Sequence, residues 1–306
     1  MSITLTSHMT MRRLLQLTKL RPFLLGLSLA TGPLIVHGNP AQPTAGAPHL
    51  ITKDTPLGRI RAGIVAESIQ ISSDGKRLAY VAEHDGKWSV VVDNHDGPPY
   101  EGIAKGSLHF SPDSKHIAYV AEEAQQKFVV IDNLEGTSYD GIGQGHPVFS
   151  PDSQHTAYAA AHGNKVSIVN DGKVGPEFDG IGQGSPLFSP NGKRLAYEAE
   201  LHHKSIIVVD GRWGSEYDGI VTGTLRFSPD GNHIAYLGAR AGKMYLVLDG
   251  VEVKAYQEFL LNSPIVFDTP THLHAFAVSG GVIVRADVQL SPDPTRRRSQ
   301  PATPKR

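Results

Sequence analysis

The sequence contains no cysteine in its 306 residues. That absence excludes disulfides, zinc–thiolate sites, thiol nucleophiles and lipid attachment through sulfur. Neither charge is in excess: 29 Lys and Arg stand against 30 Asp and Glu, too even a balance to create the field that draws a protein onto nucleic acid. No G-x-S-x-G pentapeptide occurs, so no strained strand-to-helix turn exposes a catalytic serine. No apolar run is long enough to span a bilayer. The best, residues 22–36, is interrupted by Pro33 and falls short of the roughly 20 residues a spanning helix needs. Glycine (32) and proline (21) are plentiful, as in a turn-dense β protein.

The apolar run has a basic flank (Arg12, Arg13, Lys19, Arg21) and a small-residue exit at Val36 and Gly38. These features predict a secretory signal peptide over residues 1–38, cleaved near Gly38. Met1, Met9 and Met11 are alternative starts that leave the signal intact. Residues 39–57 are proline-rich and polar, and read as a linker. Residues 291–306 carry five positive charges against one negative and almost nothing apolar, the composition of a disordered basic tail.

Between linker and tail, residues 58–290 repeat. The stretches "EGIAKGSLHFSPDSKHIAYVAE", "DGIGQGHPVFSPDSQHTAYAAA" and "DGIGQGSPLFSPNGKRLAYEAE" follow one another at 39-residue intervals. Aligned on Ala-Tyr, the units fall at Tyr80, Tyr119, Tyr158, Tyr197 and Tyr236, and then at Phe276 with an interval of 40. A fixed period of this length marks a repeat architecture. Each unit reads as four strands without a helix, in the second repeat "SLHF", "HIAYVAE", "KFVVID" and "TSYDGI". Asp93, Asp132, Asp171, Asp210 and Asp249, each followed by Asn or Gly, supply the positive φ that a tight hairpin between the third and fourth strands requires. Pro112, Pro151, Pro190 and Pro229 set the preceding turn. Phe110, Phe149, Phe188, Phe227 and Phe267, with Tyr100, Tyr139, Phe178, Tyr217 and Tyr256, recur at fixed register and are expected in the core. Four strands in about forty residues is the content of one propeller blade. The expected fold is therefore all-β, a six-bladed β-propeller of four-stranded antiparallel blades. The last unit lacks a fourth strand, whereas Gly63 and Ile64 lie 39 residues before Gly102 and Ile103. An N-terminal strand is thus expected to complete the last blade and close the ring, which protects its edges.

The motif "FSPDG/S…AY", present as "FSPDSKHIAY", "FSPDSQHTAY", "FSPNGKRLAY" and "FSPDGNHIAY", together with "VVVD…YDGI", resembles the TolB-type, WD40-like β-propeller repeat of bacterial exported proteins. The resemblance covers roughly residues 58–290. It implies an exported propeller that acts by protein contact, and it does not transfer a partner. The sequence departs from TolB in having only a short linker where that family member has an N-terminal domain. It also lacks the Trp-Asp signature of eukaryotic WD repeats.

"GIGQG" at residues 141–145, repeated in the next unit, stands between strands with no helix to follow, so it is no phosphate cradle. His116, His155 and His233 share one repeat position with Arg77 and Arg194, read as an exposed polar site on the second strand. The loops after the second strand and the connections between blades are expected on one rim. That rim gathers Glu83, His84, Lys105, Glu122, Gln144, His146, Gln183, Glu200, His202 and His203, and these loops depart most from strict repetition. Loops on a rigid scaffold commonly carry function. The expected role is a non-catalytic exported binding or scaffold module for a protein or glycan partner in the cell envelope. No catalytic residue, metal site or cofactor is assigned, and nucleic acid and a membrane span are excluded as attachments of the mature chain. The expected location is periplasmic or secreted. The alternative is a metal-assisted hydrolase or lyase acting on a sugar or lactone, with rim His and Glu as ligands and bases.

Overall fold

A computed structural model describes residues 51–54, 56, 61–143, 146–260 and 264–290. The signal, most of the linker, Gln144 and the basic tail lie outside the described residues. The chain divides into two compact units, Met1–Asp54 and Thr55–Arg306, and the fold below belongs to the second. It is all-β: among the described residues one short 3-10 turn, Ala66–Ser68, accompanies the strands, and no helix is long and apolar enough to cross a membrane.

Six antiparallel sheets follow one another along the chain. In the third, the short strands Gly141–Ile142 and Val148–Phe149 lie end to end along one edge of the long strand Thr156–His162. Lys165–Asn170 pairs with the far side of that strand, and Lys173–Phe178 completes the sheet. The other long strands are Leu78–His84, Ile117–Glu123, Leu195–Leu201, Ile234–Arg240 and His272–Ser279. The recurring aspartates take the expected turn conformation, with φ of 48° to 51°. Each also ties the turn to its sheet: Asp171 Oδ1 accepts the Thr156 amide at 2.9 Å and Asp132 Oδ1 the Ile117 amide at 3.0 Å.

The sheets bury their faces against their neighbours in chain order. Val81 and Val90 of the first pack on Tyr119 and Val130 of the second, and Val129 of the second packs on Tyr158 of the third. Ile168 meets Tyr197, Ile207 meets Tyr236, and Leu237 meets Leu273 at the following junctions. The expected aromatics are the bridges: Tyr100–Tyr119, Tyr139–Tyr158, Phe178–Tyr197 and Tyr217–Tyr236 meet edge to face at 5.9–6.4 Å. In this geometry the positive ring edge lies against the negative face.

Three expectations are corrected. The fourth strand is not one strand. Tyr139 bridges Lys127 in its own sheet, whereas Gly141 and Ile142 pair with Ala161 and Ala160 of the next. The handover falls at Asp140, Asp179 and Asp218. For the same reason Gly63 and Ile64 do not complete the last sheet: Ile64 bridges Ala82 and the Glu83 amide donates to Gly63 O, both within the first sheet. Finally, the last unit keeps the 39-residue interval. Ala275, not Phe276, stands in the tyrosine column, buried with Leu273 and Ala277, and Phe276 is turned outward. A one-residue slip exchanges the two faces of a strand.

Polar groups latch the junctions at the hairpin end and, in the first, second and fourth junctions, at the opposite end too. At the hairpin end, Asp179 accepts Lys165 Nζ of the third sheet at 2.6 Å and the His202 turn amide of the fourth at 2.8 Å. Asp218 does the same with Lys204 and the Ala241 amide, and Asp140 with Gln126 and the Gly163 amide. At the opposite end the Asp74 and Asp113 amides donate to Ser114 Oγ and Ser153 Oγ of the next sheet. The His/Arg position is not a free polar site: each side chain pairs with the turn aspartate of its own sheet, as in Arg77–Asp93 and His155–Asp171. Arginine does more than histidine there. Arg77 reaches Ser114 O and Lys115 O, Arg194 reaches Asn232 O, and both guanidinium groups lie over a phenylalanine of the next sheet.

His155→Arg should therefore bring its guanidinium over Phe188 and towards the fourth sheet. Urea unfolding is expected to show a gain of about 0.5–1 kcal/mol, and a loss would contradict the latch. The hairpin latches predict an acid dependence. Asp179 and Asp218 sit below the usual carboxylate range, chiefly through Lys165 and Lys204 and then through the turn amides; for Asp140 the Gly163 amide leads. A depressed carboxyl stabilises the fold above its unfolded pKa of about 4 and loses that contribution as pH falls through the folded value. Asp179→Asn should be less stable than wild type at neutral pH, and the gap should shrink below about pH 4. Equal gaps at both pH values would show that Asp179 does not act through its charge.

Candidate functional site

The nine singled-out residues that are described do not share one rim. Glu83, His84, Glu122, Glu200, His202 and His203 lie at the hairpin end of the long strands and are engaged locally. Glu83 caps the Gly86 amide, Glu122 faces Lys127 at 4.0 Å, and His84 sits beside Asp85. His202 and His203 form the turn itself, at φ 52° and 61°. Among the described residues, no three His, Asp or Glu side chains converge into a group that could hold a metal.

Lys105, His146 and Gln183 lie elsewhere, on the excursions that join the two short edge strands; Gln144 falls outside the described residues. Both short strands pair with the same long strand, so the excursion between them sits over that strand's middle. The Ala104 amide donates to Val120 O at 2.9 Å, for example. This pairing separates the excursions from the hairpin turns. Lys105 makes an ion pair at 2.5 Å with Glu67, which belongs to the preceding excursion.

A hydroxyl holds four of the excursions to their strands. Ser68, Ser107, Ser185 and Thr224, at one position of the 39-residue repeat, accept the amides of Val81, Val120, Glu198 and Leu237 at 2.7–3.1 Å. Three of them donate back to the carbonyl three residues earlier: Val65 O, Ala104 O and Val221 O. In the third sheet the position is His146. Its Nδ1 meets Pro147 O at 3.2 Å, and its ring lies 3.7 Å from that of His109, centroid to centroid. The His109 imidazole is held below its ordinary pKa, first by burial and then by the nearby His146.

Beside this departure, between the third and fourth sheets, lies a cavity of about 570 Å³. The equivalent cavity between the first and second sheets measures about 220 Å³. The two are lined by equivalent positions two repeats apart, and the difference follows from size: Val65, Val81, Trp88, Ala104 and Leu108 become Gly143, Ala159, Val166, Gly182 and Pro186. His146 and Gln183 border the larger cavity, together with Ser185 and Tyr158. Glycine is required at Gly182, where a Cβ would overlap the Glu198 side chain. The Glu198 carboxyl is half-buried, and its pKa is raised by burial and by Glu200, against a hydrogen bond from Ser205.

Sequence reading found His146 and Gln183 but missed Gly143, Ala159, Val166, Gly182 and Glu198. The signal was available in the columns of the repeat, where side-chain volume falls or polarity changes at fixed register, rather than in the loops as such.

No protein-family profile matches this chain, and neither does any curated protein. Among solved structures it is similar to TolB from Acinetobacter baumannii, at 17% identity over 74% of this chain and 63% of that one, with a TM-score of 0.32. A eukaryotic initiation factor follows at 14% identity, 74% and 64% coverage and a TM-score of 0.42. The Cps50 (Swd1) β-propeller domain of Myceliophteria thermophila matches at 12%, over 76% and 98%, with a TM-score of 0.33. The chain spans less than two thirds of the length of the first two. At these identities and TM-scores, none of the three assigns a partner or an activity to this chain.

Proposed function

We propose that the six sheets are the blades of a closed propeller, and that the exported chain is a non-catalytic binding module for a protein or glycan partner. The observation that carries the binding reading is the cavity between the third and fourth sheets, in the size range of small-ligand sites. It is wide where the equivalent cavity in the first junction is narrow, while the Asp179 latch at its hairpin end is kept. Closure is supported by the two ends of the stack. Each carries apolar side chains on its outer face that the other could cover: Tyr80, Ala82 and Val91 on the first sheet, and Phe276 and Ile283, which stand exposed, on the sixth. Export is supported by the basic, apolar and small-residue succession of residues 1–38. The metal-assisted alternative has no ligand group among the described residues to support it.

Closure can be read directly because the chain has no cysteine of its own. An Ala82→Cys, Phe276→Cys double variant should form an intramolecular disulfide on mild oxidation, visible as a faster band on a non-reducing gel. No such band would mean an open stack. For binding, the full chain with a C-terminal tag would be crosslinked in its host and purified. Mass spectrometry is expected to find a new N-terminus near residue 39 and a saturable partner. Val166→Trp, which places the side chain of Trp88 at the equivalent position, should fold as wild type and lose that partner. Identical captures from both proteins would remove the cavity from the function.

A further inference from the structure

The hydroxyl that locks four of the excursions has a defined role: it accepts a strand amide and, in three of them, donates to the carbonyl three residues before it. In the third sheet no hydroxyl stands there. The His146 ring turns to His109. Among the described residues, no acceptor meets the Ala159 amide and no donor meets Gly143 O, although the Gly143 amide still bonds Ala159 O at 2.8 Å. Among the described residues, a mid-strand donor and a nearby carbonyl acceptor thus stand without a partner at the wall of the 570 Å³ cavity.

We propose that this cavity takes a neutral saccharide, one hydroxyl of which stands where Ser68, Ser107, Ser185 and Thr224 place theirs. This deepens the binding reading and rests on it. A hydroxyl is the group that can accept from Ala159 and donate to Gly143 at once. An apolar ligand would bury the Ala159 amide without a partner. A charged ligand would find no fixed counter-charge, since no Lys, Arg, Asp or Glu stands among the described lining residues. Ile142 and Val166 offer apolar walls to the C–H faces of a sugar ring, and the Gln183 carboxamide can both donate to and accept from further hydroxyls.

The test is calorimetric titration of the full chain with glucose, N-acetylglucosamine, lactose and mannitol, with per-O-methylated glucose as a control that cannot donate. At least one saccharide should bind and the methylated control should not. His146→Ser restores the internal hydroxyl, so it should raise Tm without ligand and weaken saccharide binding about tenfold or more. His146→Ala removes the same ring without adding a hydroxyl, so it should weaken binding less than His146→Ser does; an equal or greater loss would overturn the inference. If wild type binds no saccharide, or if His146→Ser binds as well as wild type, the inference fails. A partner captured by wild type and lost in Val166→Trp, with no saccharide bound, would overturn this inference alone. A saccharide bound with no partner captured would support the inference and remove the macromolecular partner.

Discussion

The contact between successive sheets is the constraint on which this structure depends. A four-stranded sheet of this composition has two apolar faces and no helix to cover either, so each repeat is stable only against its neighbours. The edge-to-face pairs from Tyr100–Tyr119 to Tyr217–Tyr236 sit at the centre of those contacts. Aspartate–lysine–turn bonds close one end of the third and fourth junctions, and serine or arginine bonds close the other end of the first, second and fourth. Most of the recurring charged and hydroxylated side chains are consumed in these latches. The motif resembles a functional signature because it is repeated, yet what it encodes is the junction.

Much of this was legible in the sequence, because the junction repeats with the chain. The period, the all-β content, the turn aspartates and the aromatic columns all follow from residue types at fixed spacing. The misreadings share a cause. "YDGI" has the pattern of one strand, but its two halves bond to different sheets, and strand pattern carries no information about which neighbour supplies the hydrogen bonds. Phe276 resembles the tyrosines more than Ala275 does, yet the backbone keeps its interval and the aromatic ring turns outward. In a strand, alternation outweighs the identity of one side chain. The His/Arg position reads as a solvated site because its partner lies 16 residues away across a hairpin.

The candidate site was less legible because it consists of subtractions. His146 and Gln183 stand out as polar loop residues, but the cavity beside them is made by Gly143, Ala159, Val166 and Gly182, which attract no notice singly. They become visible only against Val65, Val81, Trp88 and Ala104 at the same register. Reading across repeats rather than along the chain is what turns a small residue into an observation, since the first junction shows what the scaffold holds when the same positions are large.

The same comparison ties two adjacent junctions together. Gly182 lines the cavity between the third and fourth sheets, and it is also where a Cβ would overlap Glu198. Glu198 occupies the position of Val81, Val120, Ala159 and Leu237. It is the one ionisable side chain in that column, and the cost of burying it shows as a raised pKa. One missing methyl group thus widens one junction and admits a carboxyl to the next. Both changes lie on the excursion side of the long strand, away from the Asp179 and Asp218 latches at the hairpin end. The scaffold can vary there while the Asp179 and Asp218 bonds between sheets are kept.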